Sequence, residues 1–156
     1  SLSKFQSIVK EVGISIMGQT QDICPADKYI YSIRDVTSTI KSLPLICASI
    51  ISKKKAEGIK GLVLDIKVGN GAFMKTLKEA EELGKALINL GNSLSIESKY
   101  IITDMNQPLG RYAGIGCEVQ ESIDALRGDG DQDLMVVVLH LAKQILEIFE
   151  DNVEHT

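Results

Sequence analysis

Tryptophan is missing from the 156 residues, and only three Phe and four Tyr are present. So few rings make no stacking platform for single-stranded nucleic acid. A formal net charge of -4 supplies no basic stripe either, so no nucleic-acid partner is expected. Histidine is limited to His140, inside an apolar run, and His155 at the tail. That scarcity argues against a His-based metal site or a Ser-His-Asp triad. The three cysteines, Cys24, Cys47 and Cys117, are odd in number and far apart. They form neither a disulfide framework nor a metal-ligand spacing, and read as reduced thiols of a cytoplasmic protein. Long apolar runs are lacking too: "LMVVVLHLA" is too short to span a bilayer, so no membrane partner is expected. No cationic and apolar leader opens the chain, so nothing in it reads as a secretion signal.

What is present is ordinary for a globular α/β chain: 44% apolar and 24% charged residues. Phe5, Ile8, Val9 and Val12 recur at helical spacing and stop at Gly13. "ISIMG" reads as a short strand. Pro25 opens a helix with Asp27 in its first turn and Arg34 toward its end. The next helix starts near Ser42, whose hydroxyl is a candidate cap, holds Pro44 in its first turn and ends at Gly58. "GLVLDIKV" is a nearly continuous apolar run, as expected of a strand covered on both faces. Thr76 and Glu79 carry a capping-box signature for a helix closed by Gly91, and "KYIITDM" is a second strand. This βαβ order implies parallel strands with a right-handed crossover. Two further helices follow, in "GIGCEVQESIDALRG" and "DLMVVVLHLAKQILEIFED".

Two motifs lose on inspection. "VGNGAF" lacks the third glycine of a dinucleotide fingerprint, since Met74 stands there. Asp129, Asp131 and Asp133 alternate like calcium ligands, but Leu134 and His140 occupy the positions where an EF-hand needs Gly and Glu. A turn with a helix N-cap accounts for them. The stretch "RDVTSTIKSLPLICASIISKK" holds out longer. Ser49 and Lys53 lie four apart, one above the other on a single helix face, and Arg34 ends the helix before. Pattern alone leaves two readings. One is structural: an Arg beside a carboxylate, a Ser bonded to its i−4 carbonyl, and a Lys reaching for water. The other is a ligand that needs two cations and a hydroxyl.

"PADKYIYSIRDVTSTIKSLPLICASIISKK", "LVLDIKVGNGAFMKT" and "ITDMNQPLGRYAGIGCEV" resemble thymidine phosphorylase and the wider pyrimidine-nucleoside phosphorylase family. The likeness runs from "VGISIMGQT" through "EVQESIDALRG". It implies that Arg34, Ser49 and Lys53 contact the pyrimidine base, with Arg34 and Lys53 catalytic. Around a uracil edge the cations suit the two carbonyls and the hydroxyl suits the N–H. The resemblance also implies an α/β fold, a parallel-type sheet with flanking helices plus a helical segment of a small α-domain. On that division 1–25 and 57–156 belong to the α/β domain. Residues 26–56 form the helical segment with the base contacts and a dimer interface, and hinges lie near 18–25 and 57–60. The family's phosphate-binding strings "KxSxRG" and "GGTxD" do not occur here. The chain is therefore expected to be a central fragment, inactive alone, with no phosphate-binding residues of its own. Implied partners are a pyrimidine nucleoside and a second copy of the chain, with inorganic phosphate as co-substrate. No cofactor is implied for catalysis. A monovalent cation such as K+ is implied at the main-chain oxygens of Leu109 and Tyr112 and the carboxylate of Glu121. The rivals are an anthranilate phosphoribosyltransferase-like enzyme and a non-catalytic α/β assembly module.

Overall fold

The computed structural model describes residues 2–16 and 24–153. Eight elements follow one another: α1 (Leu2–Val12), α2 (Pro25–Val36), α3 (Leu43–Ala56), β1 (Gly61–Val68), α4 (Leu77–Ser93), β2 (Glu97–Asp104), α5 (Ile115–Leu126) and α6 (Gln132–Val153). The strands are parallel and in register from Gly61 opposite Glu97 to Val68 opposite Asp104, joined by α4. This is the expected βαβ unit.

Side chains alternate across a strand, so each strand offers two faces. Leu62, Leu64, Ile66, Val68, Tyr100 and Ile102 turn toward α3 and α4. There they join a core centred on Cys47, Ile51, Ala80, Leu83, Leu87 and Ile96. The other face meets α6, where Lys99 pairs with Glu147 at 3.3 Å. Helices thus lie on both sides of the sheet. Two glycines of α4 let it settle closely. A Cβ on Gly84 would come within 2.7 Å of the Tyr100 ring, and one on Gly91 would collide with the Ser98 hydroxyl.

The capping box forms as expected: Thr76 Oγ1 accepts from Glu79 N at 3.3 Å, and Glu79 Oε2 accepts from Thr76 N at 2.9 Å. Asp131 ends its turn as an N-cap, its Oδ1 accepting from Asp133 N at 3.0 Å.

Several local expectations are corrected. Ile14–Ile16 form no strand, and Ile16 is 97% exposed, since no strand edge lies beside it to supply a ladder. The rest of "ISIMG" and most of the hinge at 18–25 lie outside the described residues. Ser42 stands at the N-cap of α3, but its hydroxyl makes no capping bond. Pro44, two residues on, has no N–H to give it. Gly91 does not close α4, which runs on to Ser93. Its missing side chain is needed for contact with Ser98. Finally β1 is half-buried rather than covered, with Ile66 its one buried residue, because it has a single neighbouring strand among the described residues.

Candidate functional site

The resolution of Arg34 decides what α2 and α3 are doing. Its side chain is 3% exposed, yet among the described residues no carboxylate pairs with it. Nη2 donates to the Ile40 carbonyl at 2.6 Å and Nη1 to the Leu45 carbonyl at 3.2 Å. The guanidinium lies 5.3 Å from the centre of the Tyr31 ring. Arg34 therefore clamps the end of α2 onto the connection to α3 and onto its first turn. Its Nε is buried with no hydrogen-bond partner. A buried donor without a partner costs free energy unless something else fills the place.

Ser49 and Lys53 sit one turn apart on α3, as their spacing requires. Lys53 Nζ donates to Ser49 Oγ at 3.0 Å and to Asp27 Oδ2 at 2.8 Å. Lys53 is thus bonded to a carboxylate on α2 as well as to Ser49, and among the described residues Ser49 Oγ makes no bond to its i−4 carbonyl. Burial would push the Asp27 carboxyl up, but hydrogen bonds from Lys53 and Ser49, with the charges of Lys53 and Arg34, outweigh it and hold its pKa below the usual value.

Arg34, Ser49 and Lys53 line one cavity of about 340 Å³, together with Asp65, Lys67 and Phe73 from β1 and the turn after it. The three residues singled out in the sequence therefore share one space. Asp65 and Lys67 belong to a second polar set with Thr103, whose side chains alternate with the core-facing Leu64 and Ile66. Lys67 Nζ lies 2.6 Å from Asp65 Oδ2 and donates to Thr103 Oγ1 at 2.8 Å, and Thr103 Oγ1 donates to Asp65 Oδ1 at 2.5 Å. The cavity lies along the carboxyl half of β1 and the turn after it, the end of a parallel strand at which α/β proteins place their ligands. Chemically it offers fixed cations and a hydroxyl between apolar walls. That combination binds a flat polar ring and stabilises negative charge growing on it.

Sequence reasoning missed Asp27 as a partner of Lys53, because the two are 26 positions apart and only the packing of α2 on α3 joins them. Asp65 and Lys67 had a visible signal. Two charges at i and i+2 in an apolar strand fall on one face.

Leu109, Tyr112 and Glu121 lie elsewhere, and none of them lines the cavity. The 109–112 loop does meet Glu121, whose Oε1 accepts from Arg111 N at 2.7 Å. Gly110 is in the left-handed region with φ +82°, and a Cβ there would strike the Glu121 carboxylate.

Comparison with known proteins gives the family of the chain. Residues 1–153 match the family described as "Glycosyl transferase family, a/b domain". Pyrimidine-nucleoside phosphorylases of Staphylococcus aureus strains bovine RF122 / ET3-1 and USA300 are each 49% identical over 142 residues, 91% of this chain. The chain spans about a third (33%) of the length of these curated relatives.

Proposed function

Because this chain belongs to the glycosyl transferase family through its a/b domain, we propose that it carries the pyrimidine-base site of a nucleoside phosphorylase. In that reaction a phosphate oxygen attacks the anomeric carbon of a thymidine- or uridine-type nucleoside. The bond from that carbon to the base nitrogen breaks, and its electron pair leaves on the base. The products are the free base and (deoxy)ribose 1-phosphate. The departing base spreads its charge onto its two carbonyl oxygens. Arg34 and Lys53 are the catalytic cations that meet those oxygens, and Ser49 Oγ completes the base edge. Cations fixed before the bond breaks bind the charged transition state more strongly than the neutral substrate, and so raise the rate.

The observation that carries this reading is the unpartnered, buried Arg34 Nε beside a cavity that Lys53 and Ser49 also line. The identity to pyrimidine-nucleoside phosphorylases supports it. The phosphate site belongs to parts of the complete protein beyond this sequence, which lacks the "KxSxRG" and "GGTxD" strings. In this reading the complete protein is a cytoplasmic homodimer that joins through the 26–56 helices. Tyr29, Ile30, Ile33 and Val36 of α2 are exposed and give that interface apolar surface. On α3 the apolar residues Leu43, Ile46 and Ile50 are half-buried against the core and Ile51 is fully buried.

Phosphorolysis on this scheme draws on no cofactor. The meeting of the 109–112 loop with the Glu121 carboxylate suits a monovalent cation such as K+ held by the Leu109 and Tyr112 main-chain oxygens. Such an ion would brace this loop and does not enter the chemistry.

Titration of the isotope-labelled chain with uracil tests the base site. Saturable shifts at Arg34, Ser49, Lys53 and Phe73 are expected. Their absence at millimolar uracil would overturn the assignment.

A further inference from the structure

We propose that Asp27 is a positioning residue, whose carboxylate fixes the Lys53 ammonium against Ser49 Oγ at the cavity wall. This rests on the base-site reading above.

A lysine ammonium ends four flexible methylenes, so an unrestrained one wanders over many rotamers. At Lys53 two of its three donors are committed, to Asp27 Oδ2 at 2.8 Å and to Ser49 Oγ at 3.0 Å. Among the described residues the third has no partner, and the side chain lines the cavity. The pair is asymmetric in burial: the Asp27 side chain is 10% exposed and that of Lys53 is 29% exposed. The anion is thus packed behind the cation, and the cation faces the open space. Asp27 stands in the first turn of α2, where the helix N-terminus favours a negative charge. Arg34 is at the other end of the same helix. Docking α2 on α3 therefore sets both cations of the site at once.

The next lysine shows what an ordinary pair looks like here. Lys54 meets Glu57 at 2.9 Å, three residues away on the surface. Among the described residues it pairs with no second element, and it does not line this cavity.

A purely electrostatic role for Asp27 makes the opposite prediction. A carboxylate beside Lys53 partly cancels its charge, so removing it would tighten the binding of an anionic base. Positioning demands that binding weaken instead.

The test uses the 156-residue chain, with uracil as a neutral probe and 5-nitrouracil as a probe that is anionic at neutral pH. Asp27→Asn, Asp27→Glu and Glu57→Gln are compared by affinity, by thermal unfolding and by the ammonium 15N resonance of Lys53. Asp27→Asn should weaken both probes by about tenfold, the scale of one charge-assisted hydrogen bond, and should shift and broaden the Lys53 resonance. Asp27→Glu keeps the charge with longer reach and should fall between wild type and Asn. Glu57→Gln should change nothing at the cavity. Unchanged or tighter binding in Asp27→Asn overturns the proposal, and so does weaker binding with an unmoved Lys53 resonance. If Asp27→Asn does not fold, Asp27→Glu carries the test, and wild-type affinity there with a shifted resonance overturns it. If wild type binds neither probe, the base-site reading fails, and the hold on Lys53 stands or falls on the resonance alone.

Discussion

Arg34 has a structural duty, holding two backbone carbonyls, and on the proposed reading a second one at the base; substituting it should expose both. In Arg34→Ala the Ile40 carbonyl, in the connection between α2 and α3, loses its donor. The Leu45 carbonyl also loses one, though it lies inside α3, where the helix ladder uses it too. Hydrogen bonds to a charged group are worth about 1.5–3 kcal/mol each. With both taken at the low end, the loss is about 3 kcal/mol. For a chain of this length each kcal/mol moves Tm by about 2–4 °C, so a fall of roughly 6–12 °C is expected. The second duty belongs to Nε, the buried donor without a partner. If it and the rest of the fork face the base, uracil affinity should fall at least about tenfold at a temperature where the variant is still folded. Arg34→Lys separates the two. A single ammonium cannot reproduce a planar fork, so some stability should return without the affinity. Urea denaturation and uracil titration on the same samples make the comparison. The reasoning is refuted if Arg34→Ala lowers Tm and leaves uracil affinity untouched, because the arginine is then a strut alone. It is also refuted if Tm does not move, because the carbonyl contacts then hold nothing.

In the complete enzyme, Lys53→Ala should lower turnover roughly a hundredfold or more, as loss of a preorganised transition-state contact does, while Lys54→Ala should leave it near wild type. Equal losses in both, with both folded, would contradict the assignment. The native state holds the Asp27 carboxyl below its usual pKa, so over the acid range it binds fewer protons than the unfolded chain. The stabilisation is complete above the ordinary carboxylate pKa near about 3.9 and is lost as pH falls through the lower native value. Asp27→Asn should flatten that part of the stability–pH curve, and an unchanged acid limb would count against it. Thr76→Ala should cost about 1 kcal/mol through loss of the N-cap, read as a lower urea midpoint with unchanged slope. The 156-residue chain alone should release no thymine from thymidine with phosphate, since without a held nucleophile the proximity contribution of about 7–11 kcal/mol is gone; phosphate-dependent release would refute this.

What could be read in the sequence follows from the range of the interactions involved. The capping box at Thr76 and Glu79, the proline starts of α2 and α3 and the βαβ order rest on neighbours within a turn or on periodicity, and all appear in the structure. Ser49 and Lys53 were legible as a pair because four residues make one turn. That Arg34 shares their cavity followed from the family resemblance and from no spacing rule. The misses are of longer range. "ISIMG" has a strand's composition, but a strand needs an edge to pair with, which no local pattern reveals. Gly91 looks like a helix stop until Ser98, seven positions on, is seen to need its space. Asp27 reads as a first-turn acid on its own helix. Its second role, as the counterion of Lys53, arises only where α2 meets α3.

The polar groups around the cavity fall into two sets. On the helical side Asp27, Ser49 and Lys53 bond to one another, and Arg34 bonds to backbone carbonyls. On the sheet side Asp65, Lys67 and Thr103 do the same. Among the described residues no hydrogen bond or ion pair joins the two sets, so apolar contacts alone connect the walls across the opening. The sheet set is internally neutral, since Lys67 has its charge answered by Asp65. The helical set carries the extra charge of Arg34: its Nε is buried without a partner, and among the described residues one donor of Lys53 is left over. On the proposed reading a ligand would be held mainly from the helical wall, with an acceptor taking the remaining donor of Lys53. The sheet wall supplies Phe73 and the apolar strand residues against which a ring can lie. A pyrimidine base, with two carbonyls on one edge and flat apolar faces, matches that division.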